Sequence, residues 1–217
     1  IMNNKETMWS PGINGIFPLP LYIQQATGKV FDVVDDELNT LVNKTDFSQR
    51  EGWNADTHML SPDPFSGCIL HKNDCRNFIK FLQSCVNDYL IPIIGHNNYT
   101  YVITDSWLTK TIKGKYAQEH SHGTADISGV YYIKTTGEDG NLFFDNIHSS
   151  ACANVLISQL KAKEILPLET GMLILWPGHL KHGTFVNRTD HERISLSFNI
   201  CLGRRGFDQI YGDKNYD

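Results

Sequence analysis

Two histidines one residue apart end the run Tyr116-Ala117-Gln118-Glu119-His120-Ser121-His122. Imidazole nitrogen ligates Fe, Zn, Cu or Ni. If this run is a strand, alternation puts Tyr116, Gln118, His120 and His122 on one face, with two imidazoles side by side. An HxH pair alone is a weak signal, since such pairs also lie on surfaces or hydrogen-bond inside cores. A third ligand can come from Gly171-Met-Leu-Ile-Leu-Trp-Pro-Gly-His-Leu-Lys-His-Gly183, an apolar run, a Pro-Gly turn and a second run. His182 opens that second run and is the better placed candidate. His179 lies in the turn and is expected to be solvated.

The third element is Arg193-Ile194-Ser195-Leu196-Ser197-Phe198-Asn199-Ile200-Cys201, eleven residues beyond His182 at its start. Its alternation is strict. Ile194, Leu196, Phe198 and Ile200 should pack into a core, while Arg193, Ser195, Ser197 and Asn199 share the opposite face. Such a polar row usually faces solvent; in a barrel it would line a pocket. There a guanidinium fork holds a carboxylate through parallel hydrogen bonds, and a hydroxyl two residues on can add a third.

Together these elements resemble the Fe(II)/2-oxoglutarate oxygenase superfamily, whose usual pattern is HxD, a distant His, and then Arg or Lys with Ser or Thr two positions on. They are most similar to a largely uncharacterised family of bacterial and phage oxygenases. The matching stretches are His120 to Tyr132, Trp176 to His182 and Glu192 to Asn199, within residues 100–202, with a looser likeness in the Phe17-Pro-Leu-Pro-Leu-Tyr22 segment. The resemblance implies a double-stranded β-helix (a jelly roll, cupin-like). It also implies Fe(II), 2-oxoglutarate as co-substrate and O2. Iron would be held by the metal face, and the distal carboxylate of 2-oxoglutarate by Arg193 and Ser195. The co-substrate would be decarboxylated to succinate as a substrate is hydroxylated. That substrate is a small molecule or a peptide, prolyl groups included.

His122 stands where the superfamily has its carboxylate. Three readings stay open: a three-histidine face of His120, His122 and His182; two histidines with Asp126 turned in as the carboxylate; or a site too weak for metal. Asp145 is a remoter carboxylate, expected in a turn. A three-histidine jelly roll could also hold zinc and act as an isomerase or hydrolase, and a degenerate one could be a metal-free binding module. Tyr116 and Gln118 are candidates to support the metal ligands. Alternation sends one of Tyr131 and Tyr132 inward, where it could reach the co-substrate. Trp107 and Trp176 are expected in the core, and His58, His71, His96, His148 and His191 at the surface or at caps.

The elements that must position these residues form a mainly β chain with N-terminal bracing helices. From Tyr99 onward, short β-rich runs broken by Gly, Asn and Asp recur at intervals of about ten residues, as in a sandwich or barrel. The expected strands are 99–104, 106–113, 115–122, 127–134, 141–145, 163–168, 171–176, 181–186 and 193–201. Upstream, the spacing predicts a helix over 32–44 with acidic first turns. A second begins at Asp74 as its cap and carries the stripe Phe78, Ile79, Leu82, Val86, Tyr89 and Leu90 as far as Pro92. Residues 15–22 read as an extended edge, and 48–68 and 146–160 as loops. No internal boundary appears, so one domain is expected: a helical and loop part (1–98), a jelly-roll core (99–202) and a tail (203–217).

Composition excludes some partners. The chain has 217 residues, 41% hydrophobic and 20% charged, with a net charge of −5. It carries no basic footprint for nucleic acid. No apolar run approaches a membrane span and no secretory signal is read at the start. The expected location is cytoplasmic, in the host cytoplasm if phage-encoded. The five cysteines, Cys68, Cys75, Cys85, Cys152 and Cys201, are odd in number and include no CxxC pair. Reduced thiols are expected rather than a disulfide framework. Oligomeric state is open, a homodimer included.

Overall fold

The computed structural model describes residues 19–49, 56–58, 67–95, 99–146 and 161–203. Among them ten strands and three helices run in the order β1 (Tyr22–Gln25), α1 (Gly28–Asn43), β2 (Ser48–Gln49), β3 (Asp56–His58), α2 (Ile69–Lys72), α3 (Arg76–Ile94), β4 (Tyr101–Thr111), β5 (Ile127–Lys134), β6 (Leu142–Asp145), β7 (Lys163–Leu166), β8 (Met172–Pro177), β9 (His182–Thr184) and β10 (Arg193–Leu202). A seven-stranded sheet has the order β1-β8-β5-β10-β4-β3-β2, and a three-stranded sheet the order β7-β6-β9. All pairings between these strands are antiparallel. This is the expected double-stranded β-helix.

The large sheet is buried on both faces. Its outer face packs against α1 and α3 in one core, where Val34, Leu38, Phe78, Leu82 and Val86 meet Tyr131, Leu173, Leu175, Ile194, Leu196, Phe198 and Ile200. Its inner face meets the small sheet through Val130, Tyr132, Ile174 and Trp176 against Leu142 and Phe144. That is why β5 is buried along almost its whole length: each face of the strand has its own cover. The helices therefore brace the sheet, as their apolar stripes predict.

Several boundaries differ from the sequence reading. The runs 99–104 and 106–113 are one continuous strand, β4, whose register against β10 shifts at Asn199 and Ile200. Residues 115–122 are not a strand; His120 makes only an isolated bridge to His182. Helix α1 begins at Gly28, earlier than expected, and has no acidic residue in its first turn. Helix α3 is not capped by Asp74, which pairs with Arg76. Its first N–H groups instead donate to the Glu37 carboxylate of α1, Asn77 N at 3.0 Å and Phe78 N at 2.8 Å. A carboxylate from another helix supplies the acceptor a helix N-terminus needs. The extended edge appears as β1, from Tyr22, and the stretch 48–68, expected as loop, carries β2 and β3; residues 1–18, 50–55, 59–66, 96–98, 147–160 and 204–217 lie outside the described residues. Cys68, Cys75, Cys85 and Cys201 are buried, and none of them forms a disulfide among the described residues. Among the described residues no helix is long and apolar enough to cross a membrane.

Candidate metal centre and anion pocket

The tip of β9 and the segment before β5 are stitched together by backbone bonds. His120 N donates to His182 O and His182 N to His120 O, both at 2.9 Å, and His122 N donates to Gly178 O at 2.8 Å. This short ladder brings three imidazoles together without a regular strand. Ring centroids lie 4.9 Å apart for His120 and His122, 4.5 Å for His120 and His182, and 5.2 Å for His122 and His182. One nitrogen from each lies within 4.8 Å of the others.

The rings are oriented by what their second nitrogens meet. His120 Nδ1 donates to Gln118 O at 2.6 Å, and His182 Nδ1 to Leu180 O at 3.0 Å. A carbonyl only accepts, so each Nδ1 carries the proton and each Nε2 keeps its lone pair. Burial holds all three below the ordinary imidazole range: His120 is lowered, His122 falls to about 4 and His182 to about 3. Desolvation is the largest cause in each case. The neighbouring His120 lowers both His122 and His182 further. Three neutral imidazoles are a chemically suitable donor set for a divalent transition metal.

The cluster opens on a cavity between the sheets, about 550 Å³ counting its open mouth, whose walls include Trp107, Thr109, Tyr132, Trp176, Arg193 and Ser195. Arg193 is 2% exposed. Its Nη1 donates to the carbonyls of Asp139 (3.0 Å) and Gly140, and its Nη2 to the hydroxyls of Thr111 (3.2 Å) and Thr184 (2.9 Å). The β5–β6 turn that supplies those carbonyls is built around the buried Asp139 carboxylate, which accepts from Thr135 Oγ1 at 2.6 Å and Thr136 N at 2.8 Å. Gly140 has φ +97°, and a Cβ there would lie 2.2 Å from Phe185 O and 3.0 Å from Arg193 Nη1. Only glycine lets the turn come this close to the guanidinium. No ion pair to Arg193 occurs among the described residues. The Asp139 carboxylate acts on the guanidinium only from beyond ion-pair distance, and a buried cation without a contact anion is costly, so the cavity is suited to an anionic occupant.

The other candidates separate clearly. Tyr132 lines the cavity, and burial pushes its phenol up to about 12. Tyr131 faces the helices, edge-on to Phe78 at 5.4 Å, and its hydroxyl is buried without a partner. Gln118 is exposed and Tyr116 half-buried; the wall at this point is formed by Ala117, because the segment does not alternate as a strand would. Asp126 Oδ2 accepts from Leu202 N at 2.8 Å, and its carboxylate is not among the groups that cluster. Asp145 ion-pairs with Lys163, which also holds Glu119 at 2.7 Å. His71, His179 and His191 are exposed; the side chains of His58, His96 and His148 lie outside the described residues.

Sequence reasoning misplaced Trp107, which is half-buried on the cavity wall, and missed that Trp176, in the core as expected, also reaches the cavity. Trp107 tilts over His122 with centroids 5.7 Å apart, and Trp176 meets His182 edge-on at 4.8 Å, its buried indole N–H without a partner. Both line the cavity. The available signal was alternation: Trp107 pairs across the ladder with Ser197, on the polar face of β10. Asn199 was also missed as a partner of the cluster, although it belongs to the same polar row.

Residues 105–199 match the model of a family described as "Putative 2OG-Fe(II) oxygenase", 2OG being 2-oxoglutarate. No curated protein matches the chain in sequence. Solved structures share its fold. A prolyl hydroxylase from Trichoplax adhaerens, in complex with a hypoxia inducible factor oxygen degradation domain peptide fragment, has a TM-score of 0.58 at 13% identity over 90% of this chain and 87% of its own. HygX from Streptomyces hygroscopicus, with nickel and 2-oxoglutarate bound, has a TM-score of 0.55 at 11% identity over 84% and 83%. An oxidoreductase of the 2OG-Fe(II) oxygenase family from Burkholderia pseudomallei has a TM-score of 0.55 at 12% identity over 77% of each chain. At these identities the structural likeness is one of fold. Residues 105–199 are thus similar in sequence to that family, and the described chain shares its fold with solved 2-oxoglutarate oxygenases.

Proposed function

We propose that this chain is an Fe(II)- and 2-oxoglutarate-dependent oxygenase that hydroxylates a small-molecule or peptide substrate, with His120, His122 and His182 as the metal ligands. The observation that carries the reading is Arg193: a buried guanidinium that makes no ion pair among the described residues, on the wall of the same cavity as three neutral imidazoles. The donor set and the cavity fit the cofactor pair. Nε2 of His120 and of His182 is left unprotonated by the backbone bonds to Nδ1. The cationic wall suits a dicarboxylate, and the unpartnered indole N–H of Trp176 on the same wall can donate to an oxygen. Iron bound there would supply dioxygen activation coupled to decarboxylation of 2-oxoglutarate.

The chain's own residues have narrower tasks. The hydroxyl of Thr184, which accepts from Arg193 Nη2 and can donate onward, receives the distal carboxylate with the Ser195 hydroxyl, beside the guanidinium charge. Nη1 is already committed to the Asp139 and Gly140 carbonyls and fixes the guanidinium in place. Tyr132 and Trp176 close the pocket and keep water from the co-substrate. The structural relatives include one solved with a peptide and one solved with hygromycin B; a peptide and a small polar molecule are therefore the first classes to screen.

The test is succinate formation by Fe(II)-loaded protein in air, without a primary substrate, beside 2-oxoglutarate binding to the Ni(II)-loaded form. Slow turnover, lost in His182→Ala, is expected. Absence of 2-oxoglutarate binding would overturn the assignment. The all-imidazole cluster, with no carboxylate in the group, favours one second reading, a zinc-dependent isomerase or hydrolase. Zinc retained on purification, without succinate formation, would select it.

A further inference from the structure

The three imidazoles are not held alike. His120 and His182 give Nδ1–H to backbone carbonyls, which can only accept, so their tautomers are fixed whether or not a metal is present. His122 turns its Nδ1 instead to a side-chain amide: Asn199 Nδ2 lies 3.3 Å away. The other end of that amide is held as well, because Ser128 Oγ donates to Asn199 Oδ1 at 3.0 Å. Asn199 on β10 and Ser128 on β5 are directly paired across the ladder. They are 8% and 1% exposed, so water does not readily replace either bond.

In this arrangement an amide N–H points at His122 Nδ1, which must accept. The ring proton then sits on Nε2, the nitrogen left to face the cluster, and that nitrogen has no lone pair for a metal. A half-turn of the amide about its last side-chain bond reverses every role. Oδ1 accepts from His122 Nδ1–H, Nδ2 donates to Ser128 Oγ, and the serine hydroxyl accepts where it had donated. Both arrangements keep the contacts of the amide to His122 Nδ1 and to Ser128 Oγ, and the second leaves His122 Nε2 able to ligate. A carboxylate ligand has no tautomer to set; an imidazole in that seat does.

We propose that Asn199, backed by Ser128, is a positioning residue that sets the His122 tautomer, and that its amide inverts when a metal is bound. The cluster then has two permanently armed ligands and one conditional ligand. This inference rests on the metal-site reading above, but its first readout does not. Nitrogen-15 imidazole shifts of the metal-free protein should show His120 and His182 protonated on Nδ1 and His122 protonated on Nε2. Asn199→Asp, whose carboxylate only accepts, should move His122 to the Nδ1–H form without metal. Asn199→Leu removes the amide, and Ser128→Ala removes its backing.

Ni(II) and Co(II) titrations give the second readout. Asn199→Leu should weaken binding by roughly ten- to a hundredfold, the usual range for losing a group that orients a metal ligand, and change the Co(II) absorption envelope. Asn199→Asp should bind at least as tightly as wild type, which also shows that the position tolerates change without unfolding. His122 found on Nδ1–H in the metal-free wild type and in Asn199→Leu alike would overturn the inference. So would wild-type Ni(II) affinity in Asn199→Leu. A wild-type protein that binds neither metal would overturn the metal-site reading itself, while the imidazole shifts still decide whether Asn199 sets the tautomer.

Discussion

His120 and His182 hold one another by their backbones: each donates its N–H to the other's carbonyl at 2.9 Å, and the rings that result are 4.5 Å apart. The two residues are far apart in sequence, and neither helix nor sheet continues through His120. This single reciprocal pair fixes both ligand candidates at one mouth of the β-helix. Alanine at either position keeps the backbone bonds and removes one imidazole. His120→Ala and His182→Ala are each expected to abolish Ni(II) or Co(II) binding while circular dichroism stays native. Metal affinity surviving in either variant would show that the ligands lie elsewhere.

His122 and Asp126 compete for the third ligand position, and their surroundings differ. The Asp126 carboxylate accepts a backbone N–H from Leu202, and its own N–H donates to Ile200 O at 3.0 Å. Asp126→Ala should therefore cost stability, about 1 kcal/mol for a part-buried hydrogen bond lost, with little loss of metal affinity. His122→Ala should do the reverse. A denaturation curve and a metal titration on both variants check the pair; equal metal losses would favour the carboxylate.

Arg193→Ala carries two expected losses. Removing charge-assisted bonds worth roughly 1.5–3 kcal/mol each should weaken 2-oxoglutarate binding to the Ni(II)-loaded protein by about a hundredfold or more. It also strips donors from the carbonyls of Asp139 and Gly140, so the melting temperature should fall. Arg193→Lys should recover part of the charge but not the fork. Thr184→Val keeps the turn anchored but removes the acceptor of both Arg193 Nη2 and Ala117 N, so it should weaken binding and lower the melting temperature.

The adjacent tyrosines should separate. Tyr131→Phe removes a buried hydroxyl that has no partner, so stability should hold or rise slightly and co-substrate affinity should not change. Tyr132→Phe alters the cavity wall and is expected to change 2-oxoglutarate affinity. Titrations and thermal melts of both variants test the assignment of faces; matching effects would mean that the strand does not split them as described.

The metal-free protein should lose stability on acidification before its carboxylates titrate. Burial lowers His122 to about 4 and His182 to about 3, whereas the unfolded imidazoles titrate near about 6.5. Between those values the unfolded chain binds protons that the folded chain refuses, so stability rises with pH and is fully present above about pH 6.5. Thermal melts of the metal-free protein from pH 7 down to 5 should show a falling midpoint, flattened in His182→Ala. A flat wild-type profile would contradict the depressed values.

Local spacing alone was enough to assign the faces of β10. Strand alternation is local, so Ile194, Leu196, Phe198 and Ile200 could be assigned to one core and the Arg193 row to the other side, and the structure has them so. It also carried the helical stripes and most strand positions, since both follow from period and from turn residues a few positions away. It did not carry the route of 115–122, where the reading required a strand and the chain instead makes one bridge. Nor did it place Glu37 at the start of α3 or the Asp139–Gly140 turn on Arg193. Trp107 and Trp176 in the cavity wall, and Asn199 on His122, likewise came only from tertiary structure. Each of these depends on which distant segment lies opposite. That choice is made by sheet register and by closure of the two sheets over their common core, and no local spacing encodes it.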